Sequence, residues 1–336
     1  MTQICLKPNT RLAGSVNILV MSRTVTQLTS PGDVRDTWER PLHDLRISVI
    51  DRCNYRCPYC MPAEVYGESY KFLSRQHWLT PGEIKRVAGL FMKLGVAKVR
   101  ITGGEPLLRK DIVDIVSSLS DLPGLDLALT SNGTLLSRRA KELKAAGLRR
   151  ITISLDSLDE EVFNEMSGGK GDVSTVLEGV EAAHDAGLSP IKLNVVVQKG
   201  KNDHTVLDLI DRFRGSNVIV RFIEYMDVGN TNNWSMNDVI TKKDILKLIK
   251  KKFFIKDLEK NYLSEVANRW SYDGGEFGII SSISNPFCQN CSRLRLTAEG
   301  KLYTCLFSNN GHDVKEILRK YQNNDELSRF IAQVWQ

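Results

Sequence analysis

The sequence has no apolar run near the roughly 20 residues needed to cross a bilayer. Its longest candidates, such as residues 191–197, are strand-length and flanked by polar side chains. A membrane-spanning chain is thereby excluded. Cysteine is missing from the whole stretch between Cys60 and Cys288, and no secretory leader with a small-residue cleavage site is visible. A disulfide-stapled secreted domain does not fit that pattern, and metal in a reducing compartment fits it better. Acidic residues are absent from residues 1–32, which carry Lys7, Arg11 and Arg23 among several Ser and Thr. This is the composition of an organellar targeting segment or of a flexible extension, with Met21 as an alternative start.

What is present is ordinary for a globular chain. Its 336 residues are 42% hydrophobic and 26% charged, enough to bury a large core and too apolar for a disordered or fibrous protein. The 46 basic and 40 acidic residues leave +6, which suits an anionic small molecule as readily as nucleic acid. Basic and aromatic residues do not interleave, so a nucleic-acid surface gains no support.

Strand-like runs at 45–50, 98–102, 126–130, 150–155, 191–197 and 218–224 alternate with helical patterns at 81–94, 111–122, 137–146, 173–186 and 204–214. Gly95, Gly147, Gly187 and Gly215 stand where those helices should stop. Six β/α units in series predict parallel strands with right-handed crossovers, either a partial barrel or an open doubly wound sheet. The first turn lacks the glycine fingerprint of a dinucleotide fold and carries three cysteines instead. After Asn230 the pattern changes to a Lys-rich helix at 241–252 and strand-like segments at 277–284 and 294–305. The expected organisation is a flexible extension (1–40), a β/α domain (41–230) and a smaller α+β domain (231–336).

Cys53-Asn-Tyr-Arg-Cys57-Pro-Tyr-Cys60 directly follows the first strand-like run. Three thiolates at this spacing can wrap a cubane iron-sulfur cluster and leave one iron open, and the residues alone also allow a zinc site with a distant fourth ligand. Tyr59 would then cover the cluster or simply pack in the core. Cys288-Gln-Asn-Cys291 with Cys305 forms a second three-thiol set, which by itself resembles half a zinc ribbon.

The first cysteine set, together with Thr102-Gly103-Gly104-Glu105-Pro106 after the second strand, resembles the radical S-adenosylmethionine superfamily, whose fold is a partial (β/α)6 barrel. The resemblance implies a [4Fe-4S] cluster on Cys53, Cys57 and Cys60 that binds S-adenosylmethionine. It implies a cofactor site of Tyr59, Gly104, Glu105, Ser154 and Met226, with Asp156 near the same strand end. Adding the second set, which runs into Ser292-Arg293-Leu294-Arg295-Leu296, the chain resembles the GTP 3′,8-cyclases of molybdenum cofactor biosynthesis over roughly residues 42–336. That implies a second [4Fe-4S] cluster on Cys288, Cys291 and Cys305. It further implies GTP contacts from Arg46, Arg100, Thr130, Lys192, Arg221, Arg293, Leu294 and Arg295, with Arg293 and Arg295 also catalytic. The implied reaction is cyclisation of GTP to (8S)-3′,8-cyclo-7,8-dihydroguanosine 5′-triphosphate through a 5′-deoxyadenosyl radical. Implied partners are an electron donor, the accessory protein cyclic pyranopterin monophosphate synthase and a second copy of the chain. Bacterial cytoplasm or mitochondrial matrix is the implied compartment. The family's Gly-Gly tail is not in this sequence, which ends at Gln336 and so puts cyclisation in question unless the sequence is a fragment. A peptide-modifying maturase is the rival enzyme, although those carry more cysteines in the second domain. A zinc-stabilised binding protein is the rival from another class.

Overall fold

Alternation of side chains along each β-run decides the layers. In 44–48, Leu45 and Ile47 point one way while Asp44, Arg46 and Ser48 point the other. In 98–102, Val99 and Ile101 oppose Lys98, Arg100 and Thr102. The aliphatic side must be buried, so helices pack over it, and the polar side is left to line an interior. The computed structural model describes residues 34–227, 234–262 and 264–336.

Six parallel strands form from these runs: β1 (Asp44–Ser48), β2 (Lys98–Thr102), β3 (Asp126–Ser131), β4 (Arg150–Ser154), β5 (Ile191–Val197) and β6 (Val218–Glu224). They lie side by side in chain order. A doubly wound sheet would reverse its order at a switch point, so this is the partial-barrel alternative. The crossovers carry α1 (Pro81–Lys93), α2 (Ile112–Ser120), α3 (Leu136–Ala145), α4 (Glu160–Met166), α5 (Val173–Asp185) and α6 (Val206–Arg212). Helix α1 shows why such boundaries are legible: Pro81 opens it, and Thr80 and Glu83 form a reciprocal capping box. Its Ile84, Val87, Ala88 and Phe91 are buried on one face. The four expected stop glycines all take left-handed backbone. Helix α4 was not expected; it is short and lies between polar segments, so its period is weak.

The remaining elements are α7 (Lys242–Lys250), β7 (Ile255–Leu258), β8 (Asn268–Tyr272), β9 (Gly275–Ile280), β10 (Arg293–Leu296), β11 (Lys301–Tyr303), β12 (His312–Asp313), α8 (Val314–Lys320) and α9 (Asn324–Trp335). The stretch expected as one strand-like segment at 294–305 is two antiparallel strands, turned at Gly300. The C-terminal strands build no sheet of their own. β9 joins β6 and β10 joins β1, both in parallel, so one twelve-stranded sheet runs β12-β11-β10-β1-β2-β3-β4-β5-β6-β9-β8-β7. The physical reason is that an unclosed barrel leaves two rows of unpaired backbone groups, and these strands pair with both.

Residues 1–33 and the expected boundary at 230 lie outside the described residues. Within the expected extension, however, Val34 and Asp36 are buried and Arg40 is half-buried. The Asp36 carboxylate accepts the backbone N–H groups of Trp38 and Arg40, and the Arg40 guanidinium donates to the Cys288 carbonyl at 2.6 Å. Helix α9 closes the strap: Trp335 donates its indole N–H to the Arg40 carbonyl at 3.1 Å. No helix among the described residues is long and apolar enough to cross a membrane.

Candidate active site

The first cysteine loop leaves β1 at its C-terminal end, where parallel barrels gather their chemistry. Cys57 and Cys60 are buried and Cys53 is half-buried. Two glycines fix this loop by letting backbone meet backbone. A methyl group on Gly104 would collide with the Arg52 carbonyl, and one on Gly168 with the Arg56 carbonyl. Hydrogen bonds follow the same contacts, Glu105 N–H to the Arg52 carbonyl at 2.7 Å and Arg56 N–H to the Ser167 carbonyl at 3.1 Å. The missing Cβ of Gly104 thus makes room for the cysteine loop.

Glu105 is likewise engaged. Its buried carboxylate accepts the N–H groups of Leu107 and Asn132 and the hydroxyl of Ser131, all within 2.9 Å. Burial nevertheless pushes its pKa up to about 7. The carboxylate therefore ties the β2 turn to the end of β3, and a small polar hollow bounded by Gly104, Glu105, Thr130, Asn132 and Ser154 opens beside it. Ser154 ends β4, and its buried hydroxyl has no hydrogen-bond partner. Met226 lies beyond the last residue of β6 rather than ending the strand, because the ladder stops at Glu224. Tyr59 does face chemistry: its hydroxyl donates to Asp156 at 2.5 Å, and Asp156 also accepts the Val196 N–H at 2.8 Å. Burial raises Asp156 to about 6, and burial next to that carboxylate holds the Tyr59 phenol well above its usual range.

The polar side of the sheet brings the expected cations together. Arg46, Arg100, Lys192, Arg221 and Arg293 line one cavity, and with them come Lys98 and Arg150, which were not singled out from the sequence. Both sit at strand starts in alternate register with chosen residues, so period-two reasoning could have found them. Thr130 and Thr152 each accept from the Arg100 guanidinium at 3.0 Å, so Thr130 orients an arginine. Thr152 also accepts from Arg221 at 3.3 Å. Crowding among these charges is severe. Burial and then Arg221 push Lys192 down to about 7, burial and then Arg100 push Arg221 to about 9, and burial pushes Arg100 to about 10. Arg46 is also lowered, by burial and then by Arg293, Arg295 and Arg100. Acidic partners cover only part of the charge: Asp44 faces Lys98, Asp126 pairs with Arg150, and buried Glu265 in the same lining acts on Lys192 and Arg221. Among the described residues, the Nε of Arg221 and the Nε and Nη1 of Arg295 are buried without a hydrogen-bond acceptor.

The second cysteine set stands at the other end of this lining. Cys291 just precedes β10, whose Arg293 pairs in register with Asp44 at the start of β1. The two sets are therefore separated along β1 by about 15 Å of strand. Burial lowers Arg295, while the nearby Cys291, Cys305 and Cys288 act on it in the opposite sense. Arg293 lies over the Phe287 ring at 5.3 Å. Leu294, between the two arginines, turns its side chain to the opposite, apolar face and is wholly buried. As a side-chain contact to substrate that expectation fails, since neighbouring residues on a strand face opposite ways.

The donor chemistry fits two iron-sulfur groups. Cys53, Cys57 and Cys60 share the loop after β1, while Cys288 and Cys291 precede β10 and Cys305 follows β11; among the described residues neither set is drawn together as a single-metal site, and hydroxyl and guanidinium groups without partners lie between them.

Comparison with known proteins agrees with this layout. The radical SAM superfamily profile matches residues 47–213, and that of Molybdenum Cofactor Synthesis C matches residues 218–336. A GTP 3′,8-cyclase of Acidothermus cellulolyticus is 49% identical over 317 residues, covering 92% of this chain and 86% of the relative. Those of Xanthomonas axonopodis pv. citri and Staphylococcus epidermidis are 45% and 44% identical, with 92% and 90% of each chain covered. Among solved structures, Streptococcus suis SuiB bound to S-adenosylmethionine superposes with a TM-score of 0.61 at 15% identity, covering 87% of this chain and 68% of that one. AnSMEcpe with bound AdoMet gives 0.54 at 19% identity, covering 84% and 82%. These two likenesses speak for the fold. Sequence identity sustained over nine-tenths of the chain, on a barrel with a thiol set at each end of a cationic lining, makes this chain a member of the GTP 3′,8-cyclase family within the radical SAM superfamily.

Proposed function

We propose that this chain binds GTP between its two cysteine sets and cyclises it to (8S)-3′,8-cyclo-7,8-dihydroguanosine 5′-triphosphate, the first step of molybdenum cofactor biosynthesis. One observation carries the reading: among the described residues, buried guanidinium nitrogens of Arg221, inside a cavity already crowded with positive charge, and of Arg295, in register with Arg46 of that cavity, have no acceptor. Buried cations without partners are costly, and a polyphosphate supplies the missing acceptors.

Cys53, Cys57 and Cys60 would hold one [4Fe-4S] cluster and Cys288, Cys291 and Cys305 the other. When bound, the first cluster with S-adenosylmethionine would supply the radical chemistry that lets C3′ of the ribose bond to C8 of guanine. The chain's own part is binding, orientation and exclusion. Ser154 offers its unpartnered hydroxyl to the cofactor, and the Tyr59–Asp156 hydrogen bond holds the cysteine loop against the ends of β4 and β5. Thr130 and Thr152 fix Arg100 toward the phosphates. Arg46, Lys98, Lys192 and Arg221 extend the same anion site along the lining, and Arg293 and Arg295 carry it to the second thiols. Tight anchoring matters because a primary carbon radical abstracts from whichever C–H bond lies nearest, and orientation supplies much of the rate as well as the selectivity. An electron donor, the synthase that takes the cyclised nucleotide, and a homodimeric state complete the proposal.

The test is anaerobic incubation with GTP, S-adenosylmethionine and dithionite, followed by mass analysis. Expected are equal amounts of 5′-deoxyadenosine and an isomer of GTP that keeps its triphosphate. 5′-Deoxyadenosine without loss of GTP would keep the superfamily chemistry and reject the substrate. A colourless, zinc-containing preparation would reject both.

A further inference from the structure

Glu224, the last residue of β6, is the most completely enclosed carboxylate outside the cavity described above, with no exposed surface. It faces the opposite way from Arg221, toward the C-terminal region. No cation pairs with it. Its acceptors are instead filled by backbone: Oε1 takes the Lys242 N–H at the start of α7 (2.6 Å) and the Ser284 hydroxyl, and Oε2 takes the N–H groups of Ile283 (2.8 Å) and Ser284 (2.7 Å). One carboxylate thus joins three parts of the chain: the strand that presents Arg221, the first turn of α7, and the turn from β9 into the Cys288 loop. Residues 281–287 have no ladder of their own, so without Glu224 those two N–H groups, on half-buried Ile283 and exposed Ser284, lose the acceptor that fixes the turn. On the far side, the Cys288 carbonyl accepts from the Arg40 guanidinium at 2.6 Å and from the Cys291 N–H at 3.1 Å.

We propose that Glu224 is a positioning residue for the second cysteine set: it fixes the approach of the Cys288–Cys291 loop to the barrel, and hence where the second iron-sulfur group stands relative to a nucleotide held by Arg221. The inference rests on the reading of that set as a cluster site. The first cysteine loop is clasped by Gly104 and Gly168, and none of the Glu224 hydrogen bonds reaches either glycine.

The experiment uses the full chain, reconstituted anaerobically, in four forms: wild type, Ser284→Ala, Glu224→Gln and Glu224→Ala. An amide can accept at only one of the two oxygen positions, so Glu224→Gln leaves at least one backbone N–H facing a donor. Ser284→Ala removes only the hydroxyl bond. Iron content, the electron paramagnetic resonance of each reduced cluster with and without GTP, and cleavage of S-adenosylmethionine are read together. Expected is a graded and selective effect. Iron falls from about eight toward about four per chain in the order Ser284→Ala, Glu224→Gln, Glu224→Ala. The GTP-induced change in the second signal weakens in that order, while the first signal and cofactor cleavage stay within about twofold of wild type. Full iron and an unchanged GTP response in Glu224→Ala would overturn the proposal, as would equal loss of both clusters, which marks a purely structural role. A wild type holding only about four irons would instead overturn the two-cluster reading itself, so the two failures are distinguishable.

Discussion

At the residue scale, the site is governed by positive charge held close together without enough negative charge to match. Lys192 shows the consequence. Its ammonium is pushed down to about 7 by burial and then by Arg221, so in the empty protein it is about half charged at neutral pH. An anionic ligand favours the charged form and raises that pKa. Below about pH 7 the lysine is already protonated and its share of binding is constant; above it, binding must take up a proton, and affinity falls by up to about tenfold per unit. Phosphate ionisation has the opposite sign, so the expected outcome is a difference: Lys192→Arg flattens the high-pH loss of GTP affinity measured by calorimetry, and an unchanged profile would refute it. Arg295→Ala should weaken GTP by about 1.5–3 kcal/mol, the worth of a charged hydrogen bond, and leave S-adenosylmethionine binding alone. Equal weakening of both ligands in equilibrium dialysis would contradict the separation of the two sites.

At the scale of elements, the cysteine loops depend on turns that other segments hold. Gly104 and Gly168 approach the carbonyls on either side of Cys53 and Cys57 so closely that no Cβ fits. Gly104→Ala should push the loop away from the β2 turn. The expected result is loss of roughly four irons per chain and of cofactor cleavage, with GTP binding retained; a variant with both clusters intact would show that the loop adapts. The helices and barrel strands were legible because caps, stop glycines and β-branched runs act locally: β2, β5 and β6 have the boundaries expected from sequence. β7 and β8 were not legible. β7 is largely exposed and polar, and its pairing is decided by β9 and β8 rather than by its own residues.

At the scale of the molecule, the barrel and the C-terminal region share one sheet, although the two family profiles divide the chain near residues 213–218. Cutting just after β6 instead would uncover the β1 edge that meets β10 and the β6 edge that meets β9. A fragment of residues 34–227 is therefore expected to aggregate, since long unpaired edges template further pairing. A monomeric, cooperatively melting fragment in light scattering and calorimetry would count against the single-sheet account.

Sequence by itself determined what depends on neighbours in the chain: the six β/α units, the spacing of both thiol sets, and the basic residues inside β-runs that could not be buried without a partner. Only the tertiary structure decided what depends on meeting across the chain. It turned Leu294 away from the arginines beside it, engaged Thr130 and Glu105 with protein groups, added Lys98 and Arg150 to the lining, and hung the Cys288 loop on Glu224 and Arg40. Strand alternation and edge pairing settle those choices, and neither is fixed until the partner strand is in place.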